Sequence, residues 1–344
     1  MAKHRIGIVG CGGIARRHIE GYRAVAGGMC EVVAGCDPNL ENLHRFCNDY
    51  GIQSRFTSAI EMIKSGEVDV ISLLTPPAVR QEVIFPAIEQ GVHLLVEKPF
   101  AENMSDAVAF VLAAERAGTV LAVNQQLRFM LDLLAARELV KAGNIGEVSF
   151  IAHDQFQNRT QTRGWRKQET RLEISIFSIH LIDRIQWLAG SKPEAVTATT
   201  RYWDTNVVGE TFTALTIQFE NGAVGTMVSN WHSVTLPECR LRIDGTMGSV
   251  LCEKTRIIAD EATLRFQLHG GKVERQEHRR ENAFIHAMGE SMKRLLSAID
   301  TNTVPVHSGV DNLKTMAIVD AAYLSASRGG GCVEIAEVWK GTGF

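Results

Sequence analysis

Short apolar runs alternate with amphipathic stretches over the first third of the chain. RIGIVG (Arg5–Gly10) has strand length and leads into a glycine-rich turn and a helix from about Ile14. EVVAGCD (Glu31–Asp37) is the next strand, followed by helical patterns at 39–51 and 58–66. VDVISLLTPP (Val68–Pro77) and VHLLVEKP (Val92–Pro99) read as strands, with a helix between them despite Pro86. A helix over 105–118 and the strand TVLAVN (Thr119–Asn124) close the series. Nearly continuous apolar strands separated by helices predict a parallel sheet covered on both faces. Right-handed crossovers then make it doubly wound.

The pattern changes after Asn124. A helix over 131–143 leads to a strand at 146–156, and 169–190 reads as an amphipathic helix. Strands dominate afterwards: FTALTIQF, Asn221-Gly222 and AVGTMVSNW form a hairpin by turn chemistry. ECRLRIDG, GSVLCEK and ATLRFQLH follow, then helices over 281–301 and 312–327. Alternating apolar and polar positions predict a large, open, mainly antiparallel sheet with one face on a core. The expected fold is α/β: a doubly wound parallel-sheet domain at 1–123 and a second α/β domain with the open, mainly antiparallel sheet at 124–344.

Composition narrows the function. At 45% hydrophobic, 22% charged and net charge −3, the chain gives no electrostatic reason to expect nucleic acid or an anionic membrane as partner. Its seven scattered cysteines contain no Cys-x-x-Cys, which argues for a reducing compartment and a cytoplasmic location. No apolar run is long enough to span a bilayer. The histidines lack metal-ligand spacing, so no metal is expected.

Three motifs carry chemistry. In GCGGIA, Gly10 permits a tight turn, Gly12 and Gly13 let backbone approach a pyrophosphate, and Ile14 opens the helix whose N-terminus faces phosphate. Asp37, ending the second strand, is placed for the adenosine ribose hydroxyls and repels a 2′-phosphate, so NAD is favoured over NADP. Thr75, Pro76 and Pro77 end a strand at the carboxyl edge, where ligands sit in such sheets. Glu97 and Lys98 close another strand, both expected near the cofactor, and a lysine there can hold a substrate hydroxyl and take its proton. In the helix over 169–190, Glu173, Ile176, His180 and Asp183 fall on one side at helical spacing.

With GCGGIARRH, CDPN, TPP, VEKPF and NQQLRF in the first half, and GWR, HLIDRIQWLAG, FENGAVGTM and IDGTMGSV in the second, the chain resembles the family of glucose-fructose oxidoreductase, inositol dehydrogenase and rhizopine-catabolism proteins. The resemblance implies hydride transfer between nicotinamide and a carbon of a sugar or cyclic polyol, with Lys98 and His180 as catalytic residues. It implies that 1–123 is an NAD(P)-binding Rossmann domain and 124–344 a substrate-binding and oligomerisation domain, that the C-terminal segment packs back near the first domain, and that Trp165 and Arg166 lie near the nicotinamide. Asp183 would support His180, and Gln125, Arg128, Gln155, Asn158 and Arg163 are expected substrate contacts. The open sheet suggests a homodimer or homotetramer. Two departures stand out. Ile176 replaces an aspartate common four residues before the histidine, with Glu173 as its candidate substitute. Arg80 stands near where relatives carry histidine after TPP. An NAD-dependent glycosidase and an inactive dinucleotide sensor remain as alternatives.

Overall fold

The computed structural model describes residues 3–203 and 206–342. Contacts divide the described residues into two units: 3–126 with Ile285–Leu313, and Leu127–Phe284 with 314–342. The first unit runs β1 (His4–Val9), α1 (Gly13–Gly21), β2 (Cys30–Cys36), α2 (Leu40–Tyr50), β3 (Ser54–Phe56), α3 (Ala59–Lys64), β4 (Val70–Leu73), α4 (Gln81–Glu89), β5 (His93–Val96), α5 (Met104–Ala117) and β6 (Leu121–Val123). Its strands pair in the order β3-β2-β1-β4-β5-β6, all parallel. The order reverses between β1 and β4, so their carboxyl ends flank the crevice in which such sheets bind ligands.

Sequence explains where these helices start and stop. Asn39, Ser58 and Asn103 cap α2, α3 and α5, each accepting a backbone N–H from three residues on. Gly51 and Gly118 end α2 and α5 in the left-handed conformation. Chain from beyond residue 284 returns to this unit: Met292, Leu295 and Leu296 join Ile6, Ile8, Ile19 and Phe46 in its core.

The second unit contains α6 (Leu131–Lys141), β7 (Val148–Phe156), α7 (Ile179–Ala189), β8 (Pro193–Arg201), β9 (Phe212–Phe219), β10 (Val224–Asn230), β11 (Glu238–Gly245), β12 (Gly248–Lys254), β13 (Glu261–Leu268), β14 (Glu274–Arg279) and, near the C-terminus, β15 (Val333–Glu334). The nine strands are ordered β14-β13-β12-β11-β7-β10-β9-β8-β15, antiparallel except where β10 runs parallel to β7. Ile151, His153 and Gln155 of β7, Met227 and Ser229 of β10 and Thr213 and Leu215 of β9 alternate into a buried face. Helix α7 covers that face, with Arg184 Nη1 3.4 Å from His153 Nε2. Phe150, Phe212, Val224 and Val228 stand half-buried on the other. Among the described residues no helix is long and apolar enough to cross a membrane.

The helix expected over 169–190 needs correction. Only Ile179–Ala189 is α-helical; Glu173–Ser178 forms a π-helical turn, and Glu169–Leu172 is not helical. In a π turn the neighbours lie five residues apart. Glu173 therefore meets Ser178 rather than lining up with His180. Helix α7 is also buried on every side: every residue except Trp187 is buried, with Asp183 paired to Arg128 and Arg184 donating to the Leu127 carbonyl.

Candidate active site

The glycine turn after β1 has the geometry that a dinucleotide needs. Gly10 sits at φ +96°, and a β-carbon there would meet the Leu74 carbonyl group at 3.1 Å. Gly12 and Gly13 face open space, with no heavy atom within 4 Å of where a side chain would start. Any side chain would fill that space, directly at the N-terminus of α1, where unpaired N–H groups favour phosphate. Ile14 follows in the first turn of α1. Asp37 is locked beside the turn: one carboxylate oxygen accepts the Cys11 N–H at 2.8 Å, the other the Asn39 N–H at 2.9 Å. Thr75 Oγ1, after β4, is buried and has no hydrogen-bond partner. Pro76 is exposed, and Pro77 opens a short 3₁₀ turn. These residues fit a pyrophosphate and an adenosine ribose.

The segment carrying Lys98 is fixed from beneath by Arg80. This buried guanidinium donates from Nη1 to the carbonyls of Glu97 and Pro99, which flank Lys98. Its Nη2 and Nε donate to the Thr75 carbonyl at 2.6 and 3.1 Å. One side chain thus ties the turn after β4 to the turn after β5. Burial pushes Arg80 down to about 10, with the Glu97 charge opposing.

Glu97, expected near the cofactor, is 8% exposed and turns inward. Its Oε1 accepts from His18 Nε2 at 2.9 Å and Asn124 Nδ2 at 2.6 Å. His18 Nδ1 continues the chain to Tyr22 (2.7 Å), whose hydroxyl meets Ser72 Oγ (2.7 Å). Burial works against ionisation of Glu97, but the hydrogen bond and charge of His18, with Lys98 and Asn124, outweigh it and hold the carboxyl below its usual range. His18 was not singled out from sequence; its only signal was a histidine at the fifth residue after Gly13, on a face that the helix buries.

In the second unit, His180 is 8% exposed in the first turn of α7. Asp183 was expected to support it, but its carboxylate is gripped by Arg128: Nε to Oδ2 and Nη2 to Oδ1, both 2.6 Å. Thr315 Oγ1 adds a third donor at 3.0 Å. Arg128, expected as a substrate contact, and Asp183, expected to support His180, are both about 1% exposed and clamp each other. Gln125 and Gln155 are likewise buried, at 1% and 2%. Asn158, Arg163, Trp165 and Arg166 are exposed on the loop after β7, with the Arg166 guanidinium over the Trp165 ring at 5.1 Å. Ile176 is buried in an apolar cluster with Leu172, Val207 and Trp231. Among the described residues no group of three or more His, Cys, Asp or Glu side chains is placed to hold a metal.

Glu173 does not stand in for the missing aspartate at the surface; it is fully buried over the directly paired Thr213 and Ser229. Ser178 Oγ donates to its Oε1, whereas its Oε2 has no hydrogen-bond partner. Burial pushes the carboxyl up to about 7; nearby hydroxyls hold it down in part, and the charge of Glu210 adds to the rise. Glu210, missed from sequence, accepts the Leu172 and Ile174 N–H groups and the Tyr323 hydroxyl, so it caps the π turn. A test follows. Below pH 4.5 Glu173 is protonated in both states; between 4.5 and about 7 only the folded protein holds the proton. Stability therefore falls as pH rises through that window, by about 3 kcal/mol, and is flat above it. In urea unfolding, Glu173→Gln is expected to flatten this slope, matching wild type near pH 4.5 and exceeding it by about 2–3 kcal/mol at pH 8. Parallel pH profiles for the two proteins would refute the buried-acid assignment.

Comparison with known proteins agrees with this geometry. Residues 4–125 match the family model described as "Oxidoreductase family, NAD-binding Rossmann fold", and 133–251 match the GFO/IDH/MocA C-terminal domain. A D-apiose dehydrogenase of Paraburkholderia graminis is 26% identical over 94% of this chain and 87% of its own length. Inositol 2-dehydrogenase of Rhizobium meliloti is 22% identical over 94% of this chain and 97% of its own. An oxidoreductase from Agrobacterium radiobacter, solved with NAD+, L-tartaric acid and magnesium, shares the fold at TM-score 0.90 and 22% identity, covering 98% of this chain and 99% of that one. The chain belongs to the GFO/IDH/MocA family of NAD-binding oxidoreductases.

Proposed function

We propose that this enzyme oxidises a carbinol carbon of a sugar or cyclic polyol, reversibly, with NAD as its cofactor. The observation that carries this reading is the pairing, at one sheet edge, of an open glycine turn fixed to Asp37 with a lysine whose flanking carbonyls are held by Arg80. The curated relatives act on apiose and inositol, which supports the substrate class. Gly10, Gly12, Gly13, Ile14, Asp37, Thr75, Pro76 and Pro77 would hold the dinucleotide, with Trp165 and Arg166 toward its nicotinamide end. Bound NAD supplies a hydride acceptor. Lys98 holds the substrate hydroxyl, and His180 takes its proton, since an imidazole exchanges protons near neutral pH. Nothing in the site favours a glycosidase or a cofactor sensor. The half-buried outer face of the nine-stranded sheet suits a second copy of the chain in a homodimer or homotetramer. Six of the seven cysteines are buried and all are unbridged, in keeping with a reducing cytoplasm.

The test is NADH formation across a panel of pentoses, hexoses, sugar acids and inositols; no turnover on any would remove the reading. Asp37 predicts the coenzyme. Its carboxylate stands where a 2′-phosphate would bring like charge. Wild type should prefer NAD over NADP in kcat/KM by at least tenfold, and Asp37→Ser should narrow that ratio by roughly tenfold or more. Equal use of both coenzymes by wild type would contradict this role.

A further inference from the structure

We propose that the cleft formed by the loop after β7 binds an oxyanion of the substrate, a carboxylate or a phosphate, so that the enzyme acts on acidic rather than neutral sugars. This rests on the reading that the second unit takes the sugar. The cleft, about 590 Å³, is lined by Asn158, Arg159, Thr162, Arg163, Arg166 and Phe177 among others, and no carboxylate lines it. Its charge is built in rather than scattered. Arg159 is half-buried, its Nε donates to Gln157 Oε1 at 3.1 Å, and its backbone N–H donates to the Trp231 carbonyl at 3.0 Å. The guanidinium carbon lies 4.6 Å from the Phe177 ring centre and 5.9 Å from that of Trp231.

Among the described residues, that anchoring leaves both terminal nitrogens of Arg159 without a protein partner, and no ion pair neutralises it. A guanidinium fixed at Nε and stacked on rings presents its outer edge in one orientation, the geometry that favours two-point binding of carboxylate or phosphate. Its surroundings add positive charge. Burial lowers the Arg159 pKa, opposed by Glu173, and the charges of Arg256 and Arg166 lower it further. Among the described residues Glu173 is the acid that acts on it, and it is itself pushed up to about 7, so it compensates little below that pH. A neutral sugar would leave the Arg159 charge facing water, whereas an acidic one satisfies it. Phe177, which lines the cleft, is three residues before His180, placing the cleft at the amino end of the helix that carries the proposed base.

The test uses the full chain with D-galacturonate, D-gluconate and D-glucose 6-phosphate against D-galactose and D-glucose. Binding is measured by calorimetry in the presence of NADH, and turnover by NADH formation from NAD. At least one anionic probe should bind tenfold or more tighter than its neutral counterpart, and this margin should shrink between 50 and 500 mM NaCl. The carboxylate and phosphate arms identify which oxyanion is used. Arg163→Ala, at an exposed position that folding does not need, should weaken the acid at least tenfold more than the neutral sugar. Arg159→Lys, which keeps the charge but loses the fork, should also weaken it. Binding of acids without NADH formation from any probe would leave the cleft assignment standing and remove the dehydrogenase reading. Turnover of neutral sugars with no preference for acids would do the reverse. Absence of binding by every anionic probe, or arginine variants that weaken NADH as much as the acid, would overturn the proposal.

Discussion

Replacing Lys98 by alanine is expected to lower kcat by roughly three orders of magnitude, because it removes the group that holds the reacting hydroxyl in place. NAD should still bind, with Kd raised less than tenfold, because the glycine turn and Asp37 are separate from Lys98 in the sequence and fixed by their own hydrogen bonds. The size of the effect follows from the way the lysine is mounted. Its own N–H donates to Glu97 Oε2 at 3.2 Å, and Arg80 holds the carbonyl on each side of it. A side chain on so rigid a base loses little entropy when it meets substrate, which is what makes a positioned group effective. Lys98→Arg separates charge from geometry, since a guanidinium keeps the charge but presents it as a planar fork instead of a compact ammonium. It should recover substrate affinity more than kcat. Single-turnover NADH formation and fluorescence titration of NAD measure the two quantities. Full activity in Lys98→Ala would remove the lysine from the chemistry.

Arg80 marks where sequence reading met its limit. The motif with TPP predicted a turn at the sheet's edge, and the turn is there. That the arginine five residues on would be buried and would join Thr75 to Glu97 and Pro99 depends on two loops meeting, which no local pattern encodes. The doubly wound half was otherwise legible, because buried strands of three to seven residues alternate with helices. Its miss was β3, three residues with no apolar run. In the second unit β8, small residues after a proline, and β14, ERQEHR, with no apolar residue, escaped notice. An edge strand such as β14 needs no inward-facing pattern, so hydrophobic alternation cannot reveal it. The polar flank read into 169–190 failed for a different reason. A π turn shifts spacing from four to five, and burial of Glu173 and Asp183 rests on Glu210, Arg128 and Thr315, all remote in sequence.

The Arg128–Asp183 clamp should be the most costly single contact in the second unit to break. Both side chains are removed from water, so Asp183→Ala leaves a buried guanidinium with one carboxylate lost and no solvent to replace it. A loss of about 3–5 kcal/mol is expected in urea unfolding of the second unit. Arg128→Met should cost a similar amount by stranding the acid, although the Trp187 ring, 5.4 Å from the guanidinium, can pack against the new side chain. The pair together tells more than either alone. An apolar double replacement, Arg128→Met with Asp183→Leu, removes both charges and should recover much of the stability, because a buried ion pair contributes little net beyond satisfying itself. Catalysis should not recover with it. Asp183 lies three residues after His180 on the same helix, so the clamp sets the rotation at which α7 presents the imidazole. The stable double variant is therefore expected to keep a lowered kcat and a shifted pH–rate profile. If it regains both stability and wild-type turnover, Asp183 serves packing alone; if Asp183→Ala costs less than about 1 kcal/mol, the clamp is not the buried pair described here.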